Sequence, residues 1–315
     1  AFGRWLIEQG VDLLVFPEFH VARPTWFRED KRDFQTYYRR VFEEAITVPG
    51  PEIDRLREAA AEANTAVVLG ATEKRPDTVG TMFNTLVFID ADGTLLGARR
   101  KLMPTMQERL FHAAGTGADV QVFDSSLGPL GGMMCGEHTN HLACYSVLAL
   151  GETIHAACWP AFPDYDREYR ENIVGVRTRY QALTGGVPAV AASGVVTDDL
   201  AEAVDDTAVS PGSGTSAIID PTGQYLAGPK YEGEGIVHAD VDMGDRVYSK
   251  AVHDVTGHYN RFDVFSLTVD RRPHDPIHTG RSDPPGNRSR SDDRELHGRP
   301  IEPPESDADG PSGPR

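Results

Sequence analysis

Short apolar runs alternate with helix-like patterns along most of the chain. Asp12-Leu-Leu-Val-Phe16 has the length and composition of a buried strand, closed by Pro17. Ile53, Leu56, Ala60 and Ala63 then fall on one face of a helix beginning near Pro51, and Ala66-Val-Val-Leu69 returns as a strand. Thr85 to Asp90 and Thr94 to Lys101 flank Asp92-Gly93, a hairpin turn in which glycine tolerates the positive φ required. Ser216 to Ala227 reads as a second hairpin around Pro221-Thr-Gly223. Hairpins between helices predict an α/β fold with mixed sheets, not the purely parallel sheet of a dinucleotide-binding fold. No repeat of fixed period is visible.

The pattern stops near Arg272. From there to Arg315, nine of 44 residues are Pro and five are Gly, and large aliphatics reduce to Ile277, Leu296 and Ile301. Such a segment cannot bury enough apolar surface to offset its ordering entropy. The reading is therefore one globular domain over residues 1–270 and a disordered Pro/Gly-rich tail over 271–315.

Charge and cysteines narrow the classes. Of 315 residues, 48 are acidic and 31 basic, a formal net charge of −17 that argues against nucleic acid or an anionic membrane as partner. No apolar run approaches the ~20 residues needed to span a bilayer. Cys135, Cys144 and Cys158 are too few and too odd in number for a disulfide framework, which favours a reducing compartment. Ala1 to Gly10 has neither a basic start nor a long apolar stretch, so no secretory signal is expected and the cytoplasm is the expected location.

Three segments place a polar or reactive residue at the end of a strand-like run. In Val15-Phe-Pro-Glu18 the carboxylate is either a solvated loop acid or, if partly buried, a general base. In Arg99-Arg-Lys101-Leu-Met-Pro-Thr105, with Glu108 beyond, the lysine is either part of a solvated basic face or a fixed charge beside a developing anion. In Leu130-Gly-Gly-Met-Met-Cys135-Gly-Glu-His138 the thiol is either an inert buried cysteine or a nucleophile on a tight turn. A helix directly after it would favour the thiolate through its dipole. Cys144 and Cys158 lack such a setting.

In this order and spacing, the three segments together resemble the nitrilase superfamily. Gly257-His-Tyr-Asn-Arg-Phe-Asp-Val-Phe-Ser266 is similar to the C-terminal signature of its nitrilase branch. Cys135-Gly-Glu-His-Thr-Asn140, with Ala149-Leu-Gly-Glu152 downstream, is similar to that branch's nucleophile segment. The resemblance covers roughly residues 5 to 270.

It implies a four-layer α-β-β-α sandwich with two mixed central sheets. It also implies Cys135 as nucleophile, Glu18 as general base, Lys101 as stabiliser of the tetrahedral intermediate and Glu108 as a second glutamate. Gly136, through its backbone N–H, and His138 are the expected substrate-binding positions. Neither metal nor cofactor is implied, and scattered histidines such as His112 and His155 read as structural. The implied reaction turns a small-molecule nitrile into an acid and ammonia. Cyanide hydration and aliphatic amide hydrolysis are its close variants, and a catalytically silent assembly protein is the alternative of another class.

Two departures bear on substrate. His138 stands where the branch commonly has Asn, and Gly136 replaces a frequent Trp. The His is shared with cyanide-degrading members. Family members also assemble as dimers or larger homo-oligomers. Trp5 to Gln9 reads as the end of a helix whose beginning, with a preceding strand, is expected upstream of Ala1.

Overall fold

In a computed structural model, residues 10–22, 34–162, 165–198 and 214–272 are described. They all belong to the first of two units, Ala1–His274. The expected tail beyond Arg272 and the expected helix end at Trp5–Gln9 lie outside the described residues.

Two mixed sheets form the centre. The first runs β1 (Leu13–Val15), β2 (Ala66–Lys74), β3 (Met82–Ile89), β4 (Leu95–Arg100) in spatial as in chain order. β1 is parallel to β2, and the next two pairings are antiparallel. β4 therefore points the same way as β1, and their C-terminal ends share one edge. The second sheet contains β5 (Phe123–Ser125), β6 (Gly128–Met134), β7 (Ile154–Trp159), β8 (Ala189–Ser193), β9 (Ser216–Ile219) and β10 (Tyr225–Lys230). Only β6, β7 and β8 pair in parallel.

Between the sheets, Val15, Val68, Leu86 and Phe88 of the first pack on Phe123, Leu130, Met134, Ile154, Ala156 and Cys158 of the second. The outer face of the first sheet is covered by a helix following α1 (Phe34–Glu44), namely α2 (Pro51–Ala63), through Ile53 and Ala60 against Val67, Leu69, Val87 and Ile89. The second sheet is covered by α3 (His141–Ala149), through Ala143, Cys144 and Val147 against Met133. A longer helical stretch covers it further along: α4 (Arg167–Arg170), one π turn at Glu171–Gly175 and α5 (Val176–Gly185). The layers are α-β-β-α, as expected. Being covered on both faces, β2 and β3 are buried along almost their whole length.

α2 follows from its sequence. Pro51 opens it with φ already fixed, Glu52 and Asp54 face the positive end of the dipole, and Asn64 closes it in the left-handed region. Fully buried Ile53 contributes about 1.5–3 kcal/mol of apolar transfer. In the β3–β4 hairpin Gly93 takes the positive φ, 82°, and its N–H donates to the Asp90 carbonyl at 2.9 Å. The hairpin expected around Pro221-Thr-Gly223 is β9–β10. A last helix, α6 (Asp245–His253), leads into the 257–266 segment, where the Asn260 amide donates to the Tyr145 hydroxyl of α3 at 2.8 Å.

Candidate active site

Glu18 follows β1, Lys101 follows β4 and Cys135 follows β6, so each stands where its strand ends. Lys101 lies at the centre of the group. Its ammonium donates to Glu18 Oε1 at 2.7 Å and to both oxygens of Glu108 at 2.9 Å. The backbone holds it there: Lys101 N–H donates to the Asn84 carbonyl at 2.8 Å, continuing the β3–β4 ladder one residue past the strand. Asn84 also donates through Nδ2 to Glu18 Oε1 at 2.6 Å. Glu108 is fixed from its own turn, Met106–Leu110, accepting the Thr105 N–H at 3.1 Å.

Two carboxylates and one ammonium share a dry space, since all three side chains are buried. Burial pushes Glu18 up to about 7, with Lys101 restraining the rise and Glu108 adding to it. Burial would lower Lys101, but the carboxylates of Glu18 and Glu108 outweigh it and hold the ammonium above its usual range. Among the described residues Glu18 Oε2 has no hydrogen-bond partner, so a buried acceptor stands free.

Cys135 adopts φ 45°, a left-handed value costing a non-glycine residue on the order of 1–3 kcal/mol. The residue is 8% exposed, and burial, followed by Glu18, raises the thiol well above its usual range. The expected α-helix does not start at the thiol. Cys135–Thr139 closes as a tight 3-10 turn, and α3 begins only at His141, capped by the Asn140 side chain accepting Leu142 N–H at 3.2 Å. The resting group is a neutral thiol that must lose its proton as it reacts.

The two strand ends are locked together by one ion pair. Arg99 donates in bidentate fashion to Glu137 at 2.7 and 2.8 Å. The same carboxylate accepts the Leu102 N–H at 2.9 Å and the Met134 N–H at 3.0 Å. It thus fastens the backbone beside Lys101 to the backbone beside Cys135. Glu137 stays ionised because Arg99 and these N–H groups outweigh its burial.

The six expected residues are not arranged as one set. Gly136 lies beside the thiol, where its backbone N–H favours the ionised sulfur. His138, expected near substrate, has both ring nitrogens engaged inside the protein, against the Cys135 carbonyl and His155. His112 sits behind the Glu18 segment, stacked on Phe19 with ring centroids 5.3 Å apart. Burial, then Lys101, pushes it down to about 3, so it is neutral.

The carbon-nitrogen hydrolase family model matches residues 4–248. The chain belongs to this family. It is 33% identical over 292 residues to Nitrilase 3 of Arabidopsis thaliana, covering 85% of this chain and 80% of that one. It is 34% identical over 282 residues to an aliphatic nitrilase of Rhodococcus rhodochrous, covering 86% and 76%. Its fold is similar to that of Nit3 of Saccharomyces cerevisiae, described as a member of branch 10 of the nitrilase superfamily. That match has a TM-score of 0.63 at 20% identity, over 80% of this chain and 84% of the other. The enzyme is therefore a hydrolase acting on carbon–nitrogen bonds. No helix among the described residues is long and apolar enough to cross a membrane.

Sequence reading of this carbon–nitrogen hydrolase passed over Gly70, Asn84, Arg99, Glu137, Glu152 and His155 as parts of the site. Gly70 had a signal: a glycine inside an apolar strand marks a close backbone approach. A Cβ there would stand 2.3 Å from the Pro17 carbonyl oxygen and 2.8 Å from Glu18 Cα. Gly70→Ala must therefore push the Glu18 segment off β2. The expected outcome is a loss of roughly 100-fold in kcat, the scale of an ångström's misplacement, with a cooperative unfolding transition retained. Near-native kcat in the purified variant would show that Glu18 tolerates the shift.

Proposed function

We propose that the chain is a nitrilase that hydrolyses a small-molecule nitrile to its carboxylic acid and ammonia. The observation carrying this reading is the single buried ammonium bridging two carboxylates beside a neutral thiol. Cys135 is the nucleophile. As its sulfur bonds to the nitrile carbon, its proton passes to Glu18, whose unpartnered Oε2 is free to receive it. The electron pair leaving the carbon–nitrogen triple bond settles on nitrogen, which takes that proton back, giving a thioimidate. Water adds to this carbon and ammonia departs, leaving a thioester. A second water, deprotonated by Glu18, releases the acid and restores the thiol. Lys101 and the Gly136 N–H stabilise negative charge on each adduct, and Glu108 orients the ammonium. Two waters are consumed for each acid and ammonia released, and no group outside the chain is needed for the balance.

The nitrilase names of the relatives at 33–34% identity favour nitriles over amides. The test is ammonia release from a panel of aliphatic and aromatic nitriles, cyanide and the matching amides. Nitriles are expected to outrun their amides. Turnover of amides alone, or of nothing in the panel, would overturn the reading.

Glu18 also predicts the acid side of the pH profile. Only its ionised form can accept the thiol proton, and its value is raised to about 7. kcat/KM should therefore fall about tenfold per unit as pH drops below that value. A flat profile down to pH 5 would remove Glu18 as the base.

Two settings complete the proposal. Val176, Tyr180 and Leu183 on α5 and Val247, Tyr248 and Val252 on α6 are exposed on neighbouring helices, which supports self-association into a homodimer or larger homo-oligomer. Three free cysteines suit a reducing compartment such as the cytoplasm.

A further inference from the structure

From the Cys135 carbonyl runs a buried row of polar groups that the chemistry above does not use. His138 Nδ1 lies 2.9 Å from the Cys135 carbonyl oxygen, and its Nε2 lies 3.0 Å from Nε2 of His155. His155 Nδ1 lies 2.7 Å from Glu152 Oε1. Glu152 Oε2 accepts from Gln181 Nε2 at 3.4 Å. The His138 ring is held flat on Trp159, with centroids 4.7 Å apart and 19° between planes. All three titratable side chains are buried.

The protons in this row can be counted. A carbonyl stands at one end and a carboxylate at the other, and both only accept. Three contacts between them need three protons, whereas two neutral imidazoles carry two. Any placement of two leaves one pair of lone pairs facing each other where no water offsets the repulsion. We propose that the row holds the third proton, with His155 an imidazolium against the Glu152 carboxylate and neutral His138 donating to the Cys135 carbonyl. Glu152, His155 and His138 are thereby positioning residues for the nucleophile's strained turn.

The surroundings agree. Among the described residues, Arg99 of β4, Glu137 of the turn and Cys144 of α3 are the other ionisable groups that face the row. Arg99 and Glu137 neutralise each other, and burial keeps the Cys144 thiol protonated. Burial, then His155, pushes His138 down to about 3, so the added charge does not sit on His138. The row presses on the only carbonyl that belongs to Cys135, while Glu137 holds the preceding N–H of Met134. Together they fix the turn from both sides.

Glu152→Gln discriminates. Its amide can donate to His155 Nδ1 and accept from Gln181, so two neutral imidazoles satisfy every contact and the third proton is no longer needed. With histidine labelled by nitrogen-15, the wild type at pH 8 is expected to show a ring with both nitrogens protonated, and E152Q none. Exposed histidines, near ~6.5, are neutral there. Equilibrium unfolding gives a second readout. The wild-type native state holds a proton that the unfolded chain has released above ~6.5. Its folded-to-unfolded ratio should therefore fall about tenfold per pH unit relative to E152Q as pH rises through 7 to 9.

The positioning role rests on Cys135 being the nucleophile. It predicts that E152A loses at least about tenfold in kcat with little change in KM, and that E152Q recovers most of that loss. A wild-type spectrum with a bare nitrogen on every ring, or parallel stability curves for the two proteins, overturns the proton assignment. If E152Q does not fold, the wild-type spectrum alone decides. Equal kcat losses in E152A and E152Q overturn the positioning role. The spectrum and the stability curves need no substrate, so their failure is separate from failure of the nitrilase reading.

Discussion

Replacing Cys135 with alanine is expected to abolish ammonia release, with a fall in kcat on the order of 10⁴-fold or more. Serine should do almost no better. The thiol is held neutral by burial and by Glu18, so reaction depends on passing a proton to a carboxylate near 7. A serine hydroxyl is far more reluctant to give up its proton, and the same carboxylate is too weak a base to force it. Neither change should harm the fold. Cys135 packs on Ala157, Trp159 and Val174, and alanine removes a single sulfur from that cluster. Cys144→Ala is the control. Its sulfur faces the carbonyl of His138 at 3.6 Å inside the α3 packing, away from the Lys101 group, so most activity should remain. Ammonia release by C135A at a near-native rate, or its loss in C144A, would show that the wrong thiol has been chosen.

Legibility of the fold and of the site differed for physical reasons. Strand, hairpin and helix patterns are local, so Asp12–Phe16, α2 and both hairpins could be read directly from the chain. The layer order could not be read that way. Val68 and Leu130 meet across two sheets, and only the family resemblance carried that information. At the site, Glu18, Lys101, Glu108 and Cys135 were visible because each sits in a short motif. The residues that hold them were not. Arg99 reaches Glu137 across 38 positions and Asn84 reaches Glu18 across 66, and no spacing rule links such pairs. His155 lacks the spacing of a metal ligand, so its pattern alone reads as structural. Its partners are instead a carboxylate three residues back and a second histidine. The helix expected directly after Cys135 starts later for a local reason. The positive φ there closes a separate 3-10 turn, and Asn140 then starts α3 afresh.

Lys101→Met tests whether the buried ammonium supplies charge or only fills space. The residue is 1% exposed, and methionine nearly matches its side chain in length and volume. Any loss must therefore come from the missing charge and the hydrogen bonds that carry it. Two effects act in the same direction. An adduct on the substrate loses one preorganised donor, worth at least ~2.7 kcal/mol in the barrier, or about a hundredfold in kcat. Glu18 also loses the cation that restrains its rise, while burial and Glu108 still push it upward. At neutral pH the base is then largely protonated and cannot take the thiol proton, so the acid limb of the profile should move to higher pH. Stability should respond with the same sign. In the variant Glu18 binds its proton more readily when folded than when unfolded, so the fold is favoured at low pH and loses ground as pH rises. Lys101→Arg should fail as well, since a planar fork cannot occupy the compact position where one nitrogen meets Glu18 and Glu108 together. Steady-state kinetics from pH 5 to 9 on both variants decide the matter. A kcat within threefold of wild type for either, or an acid limb that stays near 7 in Lys101→Met, would leave the ammonium a structural filler.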